Sequence, residues 1–156
     1  MTTPPTDNAG VRVFPPALYA APLLSGVLLD RVWPLPIPAR GVTAPLGAAL
    51  LAAGVGLAAP GAASFRHSGT PLNPTRPAAT LVTTGPYRLT RNPIYVGMAT
   101  TYAGVALLAG TWWPVAFLPL AVLAVDRLVI AKEEPYLRRR FGSAYDEYCA
   151  RVRRWL

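Results

Sequence analysis

Between residues 92 and 125 the chain carries no side chain that ionises near neutral pH, and the same holds for residues 13–29 and 41–65. A helix facing water needs charge along its outer side, so three such stretches in one chain point to helices that face lipid and each other. Charged residues are only 14% of the sequence while 53% is hydrophobic, against about a quarter charged in ordinary soluble domains. The reading is an all-α, polytopic integral membrane protein. A chain of 156 residues supplies one compact unit.

Four spans are predicted, at about 13–29, 41–63, 93–109 and 114–130, preceded by a loose tail over 1–12 and followed by a cytoplasmic helical region over 131–156. Residues 13–156 form the single domain. Pro15, Pro16 and Pro22 make the entry of the first span irregular, and Trp33 is placed as an interfacial anchor. Gly47, Gly54 and Gly56 allow close helix approach in the second, and Pro60-Gly61 is expected to bend or end it. Asn92 and Pro93 suit the cap and first position of the third helix. Gly110 to Pro114 is an uncharged turn with two interfacial tryptophans. Pro135 cannot donate to the carbonyl of Ala131, so a kink or restart is expected near Glu134. Glu133, Leu137, Phe141, Tyr145 and Tyr148 recur at helical spacing as one face, weakened by Gly142.

The connection over 66–91 holds Arg66, Arg76, Arg88, Arg91 and His67 and no acid, and the C-terminal region is also rich in arginine. The turn between the third and fourth spans has no charge. Both termini therefore belong on the cytoplasmic side, with the cell inner membrane as the expected location. The same rule explains the net charge of +8 without nucleic acid as a partner. Cys149 is the only cysteine, so neither an intrachain disulfide nor a thiolate metal cluster can form. No histidine pair, phosphate-cradling glycine loop or Ser/His/Asp set is present, and no metal is expected. His67 alone, without fixed partners, reads as incidental.

Folding the uncharged stretch 92–125 back on itself brings Arg91, Asn92 and Tyr95 beside Asp126, Glu133 and Glu134 at one membrane face. The free N–H groups at the start of the third helix suit a carboxylate or phosphate. Glu133 or Glu134 suits an ammonium, a sulfonium or ribose hydroxyls, and Tyr87 and Tyr95 supply ring faces. Each has a purely structural alternative. Asn92-Pro93 caps a helix, Arg88 and Arg91 hold the cytoplasmic side, the two glutamates pair with Arg138 or Arg139, and Gly97 and Gly104 pack helices.

The runs Leu81-Val82-Thr83-Thr84-Gly85-Pro86-Tyr87 and Arg91-Asn92-Pro93-Ile94-Tyr95-Val96-Gly97, then Glu133-Glu134 with Leu137, Phe141-Gly142, Tyr145 and Tyr148, resemble the isoprenylcysteine carboxyl methyltransferase family and its relatives among membrane phospholipid N-methyltransferases. The resemblance covers roughly residues 70–148. It implies S-adenosylmethionine as methyl donor, bound in a cytosol-facing pocket made by the last membrane helices and the C-terminal region. Carried onto this chain, it marks Tyr87, Arg91, Asn92, Tyr95, Gly97, Glu133, Glu134 and Leu137 as cofactor-binding and Arg88, Arg91 and Glu134 as catalytic. Family members often have histidine where this chain has Asn92, which caps and donates but does not titrate near neutral pH. The implied partner is a lipophilic small molecule or lipidated acceptor presenting a carboxylate, thiol or amine within the membrane lipid environment. A non-catalytic membrane scaffold or subunit is the alternative. A headgroup transporter is a third reading, disfavoured by the lack of repeated halves.

Overall fold

A computed structural model describes residues 8–71 and 76–156. Residues 1–7 of the expected tail and Pro74 lie outside the described residues, whereas Val11, near the tail's end, is buried in the main core. The elements are α1 (Pro15–Asp30), α2 (Arg40–His67), a 3₁₀ turn (Gly85–Arg88), α3 (Pro93–Ala109), α4 (Trp112–Val125), a π-helical turn (Asp126–Ile130), α5 (Ala131–Phe141) and α6 (Ser143–Arg151). The all-α class agrees with the sequence reading. Pro15 and Pro16 open α1 in its first turn, where the fixed φ of proline suits a helix. Two helices are long and apolar enough to cross a membrane, Arg40–His67 and the continuous Trp112–Phe141, and Pro93–Ala109 is apolar but shorter. Of the four expected spans only two therefore reach that length, and α1 has 16 residues.

Two proline expectations are corrected. Pro60-Gly61 does not end α2, which continues to His67. Near Pro135 the helix neither breaks nor restarts at Glu134; the irregularity comes earlier, as the π-helical turn where the N–H of Ala131 donates to the carbonyl of Asp126. An extra residue in one turn rotates everything after it. Ala121, Val125 and Val129 are buried before the slip; after it Ile130 and Tyr136 are buried and Glu133 and Leu137 half-buried. The slip turns the glutamates inward, towards the start of α3. Gly142, with φ +54, then separates α5 from α6. The expected face survives this break: Leu137, Phe141, Tyr145 and Tyr148 gather with Val82 and Tyr87 in a second small core.

Helix order is up-down-up-down. At the end remote from the polar segments, Asp30 Oδ1 accepts from Thr111 Oγ1 at 2.7 Å and from the N–H of Leu35 at 2.8 Å. Ile37 N–H donates to the carbonyl of Gly110 at 2.8 Å, and Trp113 Nε1 donates to the carbonyl of Trp33 at 2.7 Å. These bonds lock the two far connections together. Tyr102, fully buried, donates to the carbonyl of Pro114 at 2.9 Å and ties α3 to α4.

The tightest contact is α2 against α3. Gly47 and Gly54 on one helix and Gly97 and Gly104 on the other share a seven-residue spacing, which keeps each pair on one face. A Cβ at Gly97 would lie 2.6 Å from the carbonyl oxygen of Gly54, and one at Gly104 would lie 2.7 Å from that of Gly47. Small residues here let the backbones meet. Gly97→Ala should therefore lower the thermal midpoint in detergent, at an overpacking cost of about 1–3 kcal/mol. Gly56→Ala, where no atom lies within 4 Å, should leave it unchanged or raise it. Circular dichroism melts of the two variants check this.

Candidate active site

Alternating helix direction collects four element ends in one place. The starts of α1 and α3 meet the ends of α2 and of the α4–α5 helix, with the 3₁₀ turn and α6 closing the side. Together they enclose a cavity of about 640 Å³, inside the ~300–1,000 Å³ range of small-molecule sites. Phe14, Phe65, Ile94, Met98, Ile130 and Leu137 give it an apolar wall, and Arg12, Arg76, Arg91, Asn92, Glu133 and Glu134 bring polar groups to it. Tyr87, Tyr95, Tyr145 and Tyr148 also line it.

Glu133 and Glu134 are adjacent in sequence and sit in opposite surroundings. Glu134 is held by two arginines: Arg91 Nη2 lies 2.9 Å from Oε1, Arg154 Nε lies 3.0 Å from Oε1, and Arg154 Nη2 donates to Oε2. This fork is the strong geometry for a guanidinium and a carboxylate. Glu133 has no cation partner among the described residues. Its Oε1 accepts from Tyr95 Oη at 2.9 Å, and the carbonyl of Tyr95 accepts from Tyr19 Oη at 3.1 Å. Burial pushes the Glu133 carboxyl up from 4.5 to about 7; the Tyr95 hydrogen bond opposes the rise and the charge of Glu134 adds to it. The glutamates therefore do not pair with Arg138 or Arg139 at helical spacing. Arg138 instead bonds Asp146 at 2.7 Å.

Asn92 occupies the cap position of α3, but its side chain makes no capping bond. It reaches across to donate from Nδ2 to the carbonyl of Arg154 at 2.9 Å. Thr90 Oγ1 donates to the same carbonyl at 3.0 Å and accepts from the N–H of Asn92 at 3.2 Å. Asp126, at the start of the π-helical turn, accepts from Arg154 Nη1 at 3.4 Å and from Trp155 Nε1 at 3.3 Å. Tyr148 donates to the carbonyl of Tyr87 at 2.7 Å. Burial holds both phenols well above their ordinary range, so they stay protonated at neutral pH. Arg91 Nε is buried without an acceptor among the described residues.

Of the residues marked from the sequence, Tyr87, Arg91, Asn92, Tyr95, Glu133, Glu134 and Leu137 come together on this one wall. Two do not. Gly97 packs against the backbone of α2, and Arg88 lies exposed on the 3₁₀ turn, outside the lining. His67 bonds the carbonyl of Ala63 at 2.8 Å and takes no part either. The sequence reading missed Arg154, which is one of six arginines in the last 20 residues. Its distinguishing signal is Trp155 beside it, an aromatic able to pin the segment back onto the bundle.

An all-helical chain with long apolar helices and a chamber of this kind at one end defines the class. The phospholipid methyltransferase family profile matches residues 42–144, from the start of α2 into α6, and the chain belongs to that family. Membership supports methyltransferase activity in general. An uncharacterized protein of Haemophilus influenzae is 42% identical over 55 residues, which cover 32% of this chain and 87% of that protein. No solved structure matches.

A carboxyl whose proton affinity is raised by folding stabilises the fold most at low pH. The Glu133 contribution is fully present below pH 4.5 and is lost as pH rises to about 7. The thermal midpoint in detergent should fall across that window, and Glu133→Gln should remove that part of the fall. Melts at matched ionic strength over the same pH range measure it.

Proposed function

We propose that the protein is an S-adenosylmethionine-dependent membrane methyltransferase. It transfers a methyl group to a lipophilic or membrane-associated acceptor, at a carboxylate, thiol or amine. The observation that carries the reading is the juxtaposition of an arginine and a carboxyl that has no cation partner among the described residues, in one apolar chamber, in a chain of this family. When bound, S-adenosylmethionine supplies a methyl group already activated by its sulfonium sulfur.

The residues present fit that group. Arg91 lines the chamber with a buried Nε–H that has no acceptor among the described residues, suited to a carboxylate. Glu133, when ionised, offers a negative charge to an ammonium or sulfonium, and its hydrogen bond from Tyr95 fixes where Oε1 sits. The rings of Tyr87 and Tyr95 and the side chain of Leu137 give a flat ligand apolar surface. Glu134, held by Arg91 and Arg154, acts by fixing Arg91, not by touching a reacting atom. Phe14, Phe65, Met98 and Ile130 keep water from the chamber, which leaves a bound acceptor as the nucleophile within reach.

The same reading makes α1 and α3 cross the bilayer beside the two longer helices. With 16 and 17 residues they measure ~24 and ~26 Å, short of the ~30 Å hydrocarbon layer. Exposed Leu24, Leu28, Leu46, Val55, Leu120 and Leu123 surround the bundle with apolar surface. The arginine-rich end carrying the cavity is the cytoplasmic one.

Purified protein given methyl-labelled S-adenosylmethionine and a membrane lipid extract should transfer label to an organic-phase product. Arg91→Ala should reduce that transfer by about tenfold or more, the scale of one charge-assisted hydrogen bond. Folded protein that neither binds the donor nor transfers label would remove the reading. For topology, single cysteines replacing Arg12 and Arg153 in a Cys149→Ser background should react with an impermeant maleimide from one side of the membrane. One replacing Val32 should react from the other. Labelling of positions 12 and 153 from opposite sides would overturn the four-span arrangement.

A further inference from the structure

Residues 152–155 lie beyond the last helix and beyond the stretch matched to the family, yet they stitch the cavity wall together. After α6 the backbone turns extended at Val152 and runs back past the start of α3. There the carbonyl of Arg153 accepts from the N–H of Arg91 at 2.9 Å. The carbonyl of Arg154 accepts from the side chains of Thr90 and Asn92 at 3.0 and 2.9 Å. The Arg154 guanidinium points the other way, forking onto both oxygens of Glu134 and reaching Asp126. One residue thus grips the cap of α3 with its main chain and the α4–α5 helix with its side chain.

A simple strut would need only one of these sets of bonds. The geometry around Glu134 indicates more. Oε1 of Glu134 is shared, with Arg91 Nη2 at 2.9 Å and Arg154 Nε at 3.0 Å. Arg154 also occupies Oε2, so the carboxylate cannot rotate away from Arg91. Arg91 is thereby held with its Nε–H buried at the cavity and without an acceptor among the described residues. Side-chain exposures of 15% for Arg91 and 16% for Glu134 leave little water to replace a lost partner. Asn92 and Glu134, one on each side of the wall, are both fixed by Arg154.

We infer that Arg154 is a positioning residue for the ligand chamber: by clamping Glu134 it sets Arg91, and by its carbonyl it sets Asn92. The inference rests on the methyltransferase reading and assigns the residue that orders its binding wall. Arginine is required because a lysine ammonium supplies a single charge without the planar fork that holds both oxygens.

The test uses the full chain in detergent, with S-adenosylhomocysteine as the probe, since the demethylated product binds without an acceptor. Isothermal calorimetry gives affinity and stoichiometry, and a melt without ligand gives stability. Arg154→Gln should weaken binding by about tenfold, and Arg154→Lys by about fivefold, both at unchanged stoichiometry. The double variant Glu134→Gln/Arg154→Gln should bind no more weakly than the poorer single variant, because the two act as one unit. A purely structural role would lower the melt and the bound fraction while the remaining folded protein kept wild-type affinity, and that result would overturn the inference. So would affinity within about twofold of wild type in either single variant; where Arg154→Gln does not fold, Arg154→Lys decides. Folded wild type that binds no probe would overturn the methyltransferase reading as well. Wild type that binds, beside variants that bind equally well, overturns the role of Arg154 alone.

Discussion

An unpaired charge inside a bundle of apolar helices costs several kcal/mol, so each must find a partner, shed its charge or stay at the end of the bundle. The chain meets this constraint by confining its ionisable residues to the helix ends and connections. Asp30 is tied down by Thr111 and Leu35 at one end. At the other, Asp126, Glu134, Arg91 and Arg154 form one connected network. The cavity exists where this network meets the apolar wall. The π-helical turn is what allows the meeting, because without its one-residue slip the stripe through Ala121 and Val125 would not continue into Glu133 and Leu137.

Within that network the adjacent glutamates have divided labour by surroundings alone. Among the described residues Glu134 has two cations and Glu133 has none, only a tyrosine hydroxyl. A carboxylate saturated by arginines is a fixed part of the frame. One left in an apolar wall changes its proton or its ligand in response to what enters. Both glutamates were expected at the site and both line the chamber, Glu134 bonded to Arg91 and Arg154 and Glu133 to Tyr95.

Much of this was legible in the sequence because charge segregation and antiparallel folding leave little choice. If the uncharged stretch 92–125 doubles back, Tyr95 must come near Glu133 and Arg91 near Glu134, as the 2.9 Å contacts show. The ends of α1 and α3 were read closely, at 13–29 and 93–109 against Pro15–Asp30 and Pro93–Ala109, but apolar content alone did not show that helices this short fall below the length of a full span. The placement of the kink was misjudged because a missing N–H at Pro135 can be absorbed by a wider turn upstream as well as by a break. Gly97 was ambiguous for a different reason: close approach of a backbone is needed by a ligand and by a helix alike. The matched seven-residue spacings of Gly47 with Gly54 and of Gly97 with Gly104 carry the answer, since only a partner helix imposes the same repeat on both. Trp155 is the one local sign that separates Arg154 from Arg151 and Arg153, and the contacts Arg154 makes follow from a chain reversal at Val152 that the sequence does not specify.

The asparagine at position 92 follows from the same reversal. The amide of Asn92 donates to the carbonyl of Arg154 at 2.9 Å without taking on charge. A protonated imidazole there would add a third positive charge beside Arg91 and Arg154, against the two carboxylates Asp126 and Glu134 that already balance them. Neutral Asn92 adds no charge of its own to that set. The group on this wall that burial pushes up to about 7 is Glu133.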